Sequence, residues 1–272
     1  MKSAMRLVLI FSAIFLAMPA MATQIVTVKV ENLAAEDSVS FAPLRIGFNA
    51  GVFDAFNIGE AATAPIISIA EGGSGSDWLP AFAAVDSTAT LGSVGAGALL
   101  PGQSATAMFT VDSTINQFFT FGTMVVPSND FFLGNDNPMQ YRLFDDDGNL
   151  LVNTIDQTAS QIWNAGSEAF DPLNAAFLSV GTNASRTPEN GVVEFNFAEL
   201  TGFNGLETAA GYDFQSGLLA DTSVYRITFS ATSPVPEPAT WAIMLLGLGG
   251  IGLSLLERPN SRQAVTPFQQ IA

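Results

Sequence analysis

Cysteine and histidine are both absent from the 272-residue chain. Without histidine the chain cannot use Ser-His-Asp or Cys-His nucleophilic catalysis, and without cysteine it cannot build thiolate-ligated zinc or iron–sulfur sites. The lack of cysteine also excludes a disulfide framework. The fold must therefore be held by burial of apolar side chains. Hydrophobic residues make up 48% of the sequence and phenylalanine occurs at 22 positions, which is enough for one large core.

Positive charge is scarce as well. Nine Lys and Arg side chains stand against 25 acidic ones, so the formal net charge is −16. A protein that binds nucleic acid needs a basic surface to neutralise phosphates. We therefore expect no nucleic acid among the partners of this chain.

Residues 1–22 have the three parts of a secretory signal peptide. Lys2 and Arg6 supply the positive start, residues 7–17 form an uncharged apolar run, and Ala20 and Ala22 are small residues at a cleavage site. The apolar run is too short to span a hydrocarbon core of ~30 Å as a helix. The sequence thus predicts a cleaved signal and an exported protein.

The C-terminal end contains a second apolar segment. Residues 238–256 carry no charge, and Trp241 lies at the start of this segment, where an amphipathic ring favours the membrane surface. At ~1.5 Å per residue, such a segment is long enough to cross a bilayer. We predict a separate transmembrane-type helix over residues 239–256 and a polar tail over residues 263–272.

The residues before this helix carry a short motif. Pro236, Glu237 and Pro238, inside the run 235–241 and followed by an apolar Gly-rich helix, resemble the PEP-CTERM sorting signal of Gram-negative bacteria that make exopolysaccharide. Over residues 234–262 the resemblance implies recognition by an exosortase, transient contact with the inner membrane, cleavage, and release to the cell envelope or the exterior. The basic cluster that usually ends such signals is reduced to Arg258 and Arg262.

Residues 23–233 alternate apolar and polar side chains with the period of a β-strand. This pattern predicts an all-β domain, an antiparallel β-sandwich of about eight strands. We expect Phe195, Phe197, Ile227 and Phe229 to point inward, a short helix over residues 66–71, and a hairpin turn over residues 145–149. The alternating segments are Val26–Val30, Leu44–Phe48, Ala105–Val111, Phe119–Val126, Val193–Phe197 and Tyr225–Phe229.

Two segments of this domain carry a family resemblance. Residues 124–134 read MVVPSNDFFLG and residues 163–168 read WNAGSE. Together they resemble the spondin amino-terminal domain family in its bacterial, cysteine-free form. The resemblance implies an eight-stranded antiparallel sandwich, similar to calcium-dependent membrane-targeting domains, with one calcium ion held by loops at one end.

The same resemblance implies that Asp130, Asn164 and Glu168 are the metal ligands. Calcium is a hard cation that takes six to eight oxygen ligands, which carboxylates and amides provide. Asn164 replaces the aspartate that is usual in the family and removes one negative charge. If these residues bind calcium, the carboxylates of Asp130 and Glu168 should face a common point with no Arg or Lys between them. The alternative is that all three side chains only cap loops and accept hydrogen bonds from backbone amides.

One other acidic cluster has calcium-like spacing. Asp145, Asp147 and Asn149 match the opening of a helix–loop–helix calcium site, but Leu150 occupies the position that requires glycine. We therefore interpret this cluster as a solvated turn.

These observations predict a secreted or surface-sorted, non-catalytic binding or adhesion module of the envelope or exopolysaccharide matrix. Its ligand would be a polysaccharide or a cell-surface molecule, and one calcium ion would stabilise its loops. Two alternatives stay open: a secreted carbohydrate-active hydrolase, and a structural matrix protein without a specific ligand.

Overall fold

The structure is a computed structural model that describes residues 23–181 and 185–232. The predicted signal peptide (1–22), the sorting signal (234–262) with its helix (239–256), and the polar tail (263–272) lie outside the described residues. Within the described part of the chain, no helix is both long enough and apolar enough to cross a membrane.

The described residues form eleven strands and two α-helices, joined by turns and two 3-10 segments. The strands are β1 (Thr23–Asn32), β2 (Ser40–Phe41), β3 (Leu44–Asn49), β4 (Thr90–Val94), β5 (Ser104–Asp112), β6 (Phe118–Val126), β7 (Phe131–Gly134), β8 (Thr154–Thr158), β9 (Trp163–Asn164), β10 (Glu194–Phe195) and β11 (Ser223–Thr232). The helices are α1 (Ala64–Gly72) and α2 (Trp78–Val85), and the 3-10 segments cover Ala159–Gln161 and Phe197–Phe203.

The strands build two antiparallel sheets. The first has the order β5-β1-β11-β8, and the second has the order β10-β9-β7-β6-β3-β4, with β2 paired to β6. Along β1, Val26, Val28 and Val30 are buried while the residues between them are partly exposed. This alternation is expected of a sheet with one face on the core and one face in water.

The inner faces of both sheets meet in one hydrophobic core. The valines of β1 and the side chains of Ile227 and Phe229 on β11 join a single buried cluster with Ile46 on β3 and Phe119 on β6. The prediction of an antiparallel, sandwich-like arrangement is thus confirmed for the part of the chain that the structure describes.

The second sheet is also covered on its outer face. Helices α1 and α2 pack there around a second cluster that includes Phe53, Trp78, Phe82 and Phe132. Strand β6 is therefore buried on both faces from its second residue to its last. The described part of the chain has three layers, whereas the sequence pattern predicts two with one short helix.

Three sequence predictions need correction. The number of strands is eleven rather than about eight, because three pairings involve strands of only two residues. Phe195 is 46% exposed, and Phe197 is only partly buried. The alternation fails there because β10 ends at Phe195 and a 3-10 segment begins at Phe197. Ile227 and Phe229 are buried as predicted.

Strands β1 and β6 run in the same direction in the two packed sheets. The amide of Asn32, at the end of β1, donates to the carbonyl of Leu99 at 2.9 Å. Leu99 bridges to Phe41, and Phe41 pairs with Val125 near the end of β6. The loop that follows β6 therefore lies at the end of the sandwich opposite to Thr23 and Thr232, where the described chain begins and ends.

Candidate functional site

Asp130 lies in the loop between β6 and β7. Asp130 is 1% exposed, so its side chain is almost completely removed from water. Ser128 shapes the loop: its hydroxyl accepts a hydrogen bond from the backbone N–H of Phe131 at 3.1 Å. This bond holds Asp130 directly before the first residue of β7.

The carboxylate of Asp130 joins the two segments that the sequence singled out. Its Oδ2 accepts hydrogen bonds from the backbone N–H groups of Ser167 at 2.8 Å and Glu168 at 3.1 Å. The backbone carbonyl of Asp130 accepts a third bond, from the N–H of Ala165 at 3.1 Å. Asp130 therefore fixes the loop after β9 to the loop before β7.

Glu168 is buried beside Asp130 and is 2% exposed. Its Oε1 accepts a hydrogen bond from the amide of Asn129 at 3.2 Å. Its Oε2 is buried and has no hydrogen-bond partner. The nearest cationic atom to Oε2 is Nε of Arg186 at 3.8 Å, which is an ion-pair distance but too long for a hydrogen bond.

Arg186 binds mainly to another carboxylate. Its Nη1 forms an ion pair with Oε2 of Glu71, and its Nη2 donates to the backbone carbonyl of Glu71 at 3.1 Å. Glu71 lies in the last turn of α1, where a positive charge also interacts favourably with the helix dipole. An arginine thus lies beside Glu168, so the expectation that a calcium site would have no basic side chain there is wrong.

Asn164 is close in the sheet, but its side chain bonds to residues other than Glu168. It pairs with Phe131 across β7 and β9. Its Oδ1 accepts a hydrogen bond from the N–H of Gly166 at 2.6 Å, and its Nδ2 donates to Glu199 at 3.3 Å. Gly166 has a positive φ of 62°, which glycine adopts without strain. The structure thus brings Asp130 and Glu168 together and directs the Asn164 amide toward Glu199.

Burial and neighbouring negative charge perturb both central carboxylates. Burial raises the pKa of Asp130 to about 6, and the charge of Glu71 adds to this effect, while the N–H groups of Glu168 and Ser167 oppose it. Burial likewise raises the pKa of Glu168 to about 7, against the hydrogen bond from Asn129. Each carboxylate is thus costly to hold as an anion without a nearby cation.

The chemistry of this cluster suits a hard cation. Oε2 of Glu168, which accepts no hydrogen bond, and the carboxylate of Asp130 are buried oxygen atoms of the type that calcium prefers. Among residues 23–181 and 185–232, no three Asp or Glu side chains are grouped so as to hold a metal ion between them. A bound ion would therefore take its other ligands from amide or main-chain oxygens and water.

An open acidic cleft of about 240 Å³ adjoins this cluster at the edge of the second sheet. Its wall includes Asn164, Glu189, Glu194, Asn196 and Glu199. Burial raises the pKa of Glu199, and the charges of Glu189 and Glu194 raise it further. The sequence did not point to this cleft, because its residues come from three separate loops and short strands.

Comparison with known proteins identifies the C-terminal segment. The model of the PEP-CTERM protein-sorting motif matches residues 234–258. The chain carries an exosortase sorting signal. The motif marks an exported protein that is processed by an exosortase and sorted to the cell envelope or the extracellular space.

The β-domain has no such match. No spondin-domain model matches the chain, and no curated protein matches it. The resemblance of residues 23–233 to the spondin amino-terminal domain therefore stays a prediction.

Proposed function

We propose that this exported protein is a non-catalytic binding or adhesion module of the cell envelope or the exopolysaccharide matrix. Its binding surface would be the loops around Asp130 and Glu168. One calcium ion at this carboxylate pair would stabilise them. The observation that carries the proposal is that two buried acidic residues, Asp130 and Glu168, lie next to each other at one end of a sandwich, and that Oε2 of Glu168 lacks a hydrogen bond.

The position of these loops supports display of a ligand-binding end. The sorting motif begins at residue 234, directly after β11 ends at Thr232. Thr232 pairs with Ile25, near the start of β1, so both ends of the described chain emerge from neighbouring strands. The Asp130 loop lies at the opposite end of the sandwich.

The proposed role of calcium is electrostatic. A divalent cation would neutralise two carboxylates that burial otherwise makes costly to ionise. Bound only to the native state, it would raise the free energy of unfolding with its concentration. The chain's own residues would do the rest: Asp130 ties the two loops together through backbone N–H groups, and Asn129 orients Glu168.

A retention experiment with native exopolysaccharide tests this function. The purified exported protein would be pulled down with the polysaccharide of the producing strain, in calcium or in chelator, and released sugar would be measured. We expect retention in calcium, weaker retention in chelator, and no sugar release. Asp130→Asn should weaken retention. Asp156→Asn, which changes a surface carboxylate paired with Arg226, should not.

The acidic cleft favours a second candidate, a carbohydrate-active hydrolase. Glycoside hydrolysis requires two carboxyl groups that the substrate can reach. Asp130 and Glu168 are too buried for this role, whereas Glu189, Glu194 and Glu199 line an open cleft. Sugar release that is lost in Glu199→Gln would establish the hydrolase and overturn the binding module. If the experiment shows no retention and no sugar release, the result would favour a structural matrix protein without a specific ligand.

A further inference from the structure

Arg186 contacts carboxylates from two separate parts of the fold. Its guanidinium forms an ion pair with Glu71 at the end of α1, and its Nε lies 3.8 Å from Oε2 of Glu168 in the loop after β9. The side chain of Arg186 is 37% exposed, while those of Glu71 and Glu168 are 8% and 1% exposed. A side chain at the protein surface thus brings positive charge to two buried anions.

The two contacts of Arg186 differ in kind. Toward Glu71 the guanidinium makes an ion pair and also donates to the backbone carbonyl at 3.1 Å. Toward Glu168 it supplies charge but no hydrogen bond, and Oε2 has no other donor. The hydrogen bonds therefore hold Arg186 at Glu71, and its contact with Glu168 can lengthen without breaking any of them.

A cation bound at Glu168 would meet this charge. Calcium carries two positive charges, and the guanidinium would lie within a few ångströms of it, in a partly buried region where Coulomb interactions are weakly screened. Arg186 and calcium would therefore compete for the same carboxylate oxygen.

We propose that Arg186 is an internal counter-cation that competes with calcium for Glu168 and so sets the affinity of the site. In the calcium-free protein Arg186 neutralises Glu71 and Glu168 together. In the calcium-bound protein it pairs with Glu71 alone. This inference rests on the proposed function, since it concerns the same pair of carboxylates.

Calcium titration of the purified exported protein by calorimetry tests the proposal. The wild type would be compared with Arg186→Gln, which removes the charge but keeps a hydrogen-bond donor for the Glu71 carbonyl. Arg142→Gln is the matched control, because Arg142 pairs with the exposed Asp146. We expect calcium to bind Arg186→Gln about tenfold or more tightly than the wild type, and Arg142→Gln to bind as the wild type does.

Two more variants distinguish the effect of losing the positive charge of Arg186 from the effect of disturbing the structure. Arg186→Lys keeps the positive charge and should bind calcium as weakly as the wild type. Arg186→Met removes the charge and keeps a long side chain, so it replaces Arg186→Gln if that variant does not fold. In chelator, the melting temperature of each neutral variant should fall below that of the wild type, because Glu71 and Glu168 lose the positive charge of Arg186. Calcium should restore it.

Each outcome decides the matter. Equal or weaker calcium binding by the neutral variants, with clear binding by the wild type, would overturn the competition and leave the calcium site in place. Binding by the neutral variants but not by the wild type would support the competition and overturn calcium binding in the natural protein. Absence of binding in every variant would overturn both the competition and the calcium site.

Discussion

The ring of Phe82 on α2 fills the space where a side chain on Gly47 of β3 would begin. A Cβ added to Gly47 would lie 2.1 Å from Cε1 of Phe82 and 2.9 Å from a methyl carbon of Leu91. The missing side chain therefore lets α2 approach the outer face of the second sheet. Gly122 on β6 has the same role under α1, since its Cβ would lie 2.7 Å from Cδ1 of Ile69.

This contact predicts a strong effect of one methyl group. Gly47→Ala should lower the free energy of unfolding by about 1–3 kcal/mol or more, because the added carbon overpacks a tightly filled interface. Gly97→Ala is the control, since nothing lies within 4 Å of its Cβ position. Denaturant unfolding of both variants measures the difference. Equal stability of the two variants would contradict the close packing of α2.

The hydrogen bonds accepted by Asp130 predict that two substitutions of this residue will lower stability by different amounts. Asp130→Ala leaves the N–H groups of Ser167 and Glu168 buried without an acceptor, at a cost of about 1–3 kcal/mol for each group. Asp130→Asn keeps one oxygen that can accept both bonds and removes a buried charge, so in chelator it should lose much less. Thermal unfolding at neutral pH in chelator gives the comparison. A larger loss for the Asn variant would show that the buried charge itself stabilises the fold.

Asp86, the residue directly after α2, is expected to make the stability of the fold depend on pH. Burial acts to raise the pKa of Asp86, but hydrogen bonds from the N–H of Ala50 at 2.9 Å and from Thr88 outweigh it, and the pKa is lowered. A lowered pKa gives stability that is present above the unfolded value of ~3.9 and is lost as the pH falls through the folded value.

Asp86→Asn is the variant that measures this contribution. Asparagine can accept on one side only, so at pH 6 the variant should be less stable than the wild type by about 1–3 kcal/mol. The difference in stability should shrink as the pH falls from ~4 toward the lowered pKa of folded Asp86, because the carboxyl of the unfolded chain takes up its proton first. Urea unfolding at a series of pH values checks both points. A gap that stays constant from pH 6 to pH 3 would mean that the ionised form of Asp86 does not matter.

The contacts of Asn164 predict a loss of stability when this residue is replaced by aspartate. The amide of Asn164 donates to Glu199, and Asn196 donates to the same carboxylate at 2.9 Å. Asn164→Asp removes one donor and places a second negative charge beside Glu199. In chelator the variant should melt at a lower temperature than the wild type. The double variant Asn164→Asp/Glu199→Gln should recover most of the loss, and failure to recover would locate the cause elsewhere.

Removal of the Phe195 ring is expected to change the fluorescence of Trp163. Its ring stacks on Trp163 with the centroids 3.6 Å apart, and Trp163 itself is only 6% exposed. Phe195→Ala should remove this cover, lower the free energy of unfolding by about 1–2 kcal/mol, and shift tryptophan emission to longer wavelength. Leu219→Ala, at a site that is 70% exposed, should change neither property.

The strands could be predicted from the sequence where one face is buried and the other is wet. The alternation in β1 and β11 places Val26, Val28, Ile227 and Phe229 in the core, as the structure does. Asp145 likewise forms the predicted turn, with its N–H bonded to the carbonyl of Asn149 at 3.0 Å. These features depend on neighbours along the chain or directly across a strand pair, and such information is present in the local pattern.

Helix α2 could not be predicted in this way. It is short and apolar, and Pro80 lies within its first turn, where the missing N–H costs nothing because that group has no partner inside a helix. Its stability comes from the packing of Trp78 and Phe82 on the sheet, which is tertiary. The exposure of Phe195 has a similar cause, since β10 pairs with β9 for only two residues before the chain turns away.

For the candidate site too, some features could be predicted from the sequence and others depended on the tertiary structure. The resemblance to the spondin family pointed to Asp130, Asn164 and Glu168 as cation ligands, and the last segment of the sequence carries the sorting motif over residues 234–258. Only the tertiary structure decided that Asp130 accepts the N–H of Glu168, that Asn164 turns to Glu199, and that Arg186 lies beside Glu168. Electrostatic partners are fixed by distances in space, and residues far apart in sequence reach those distances only when the sheets and loops have packed.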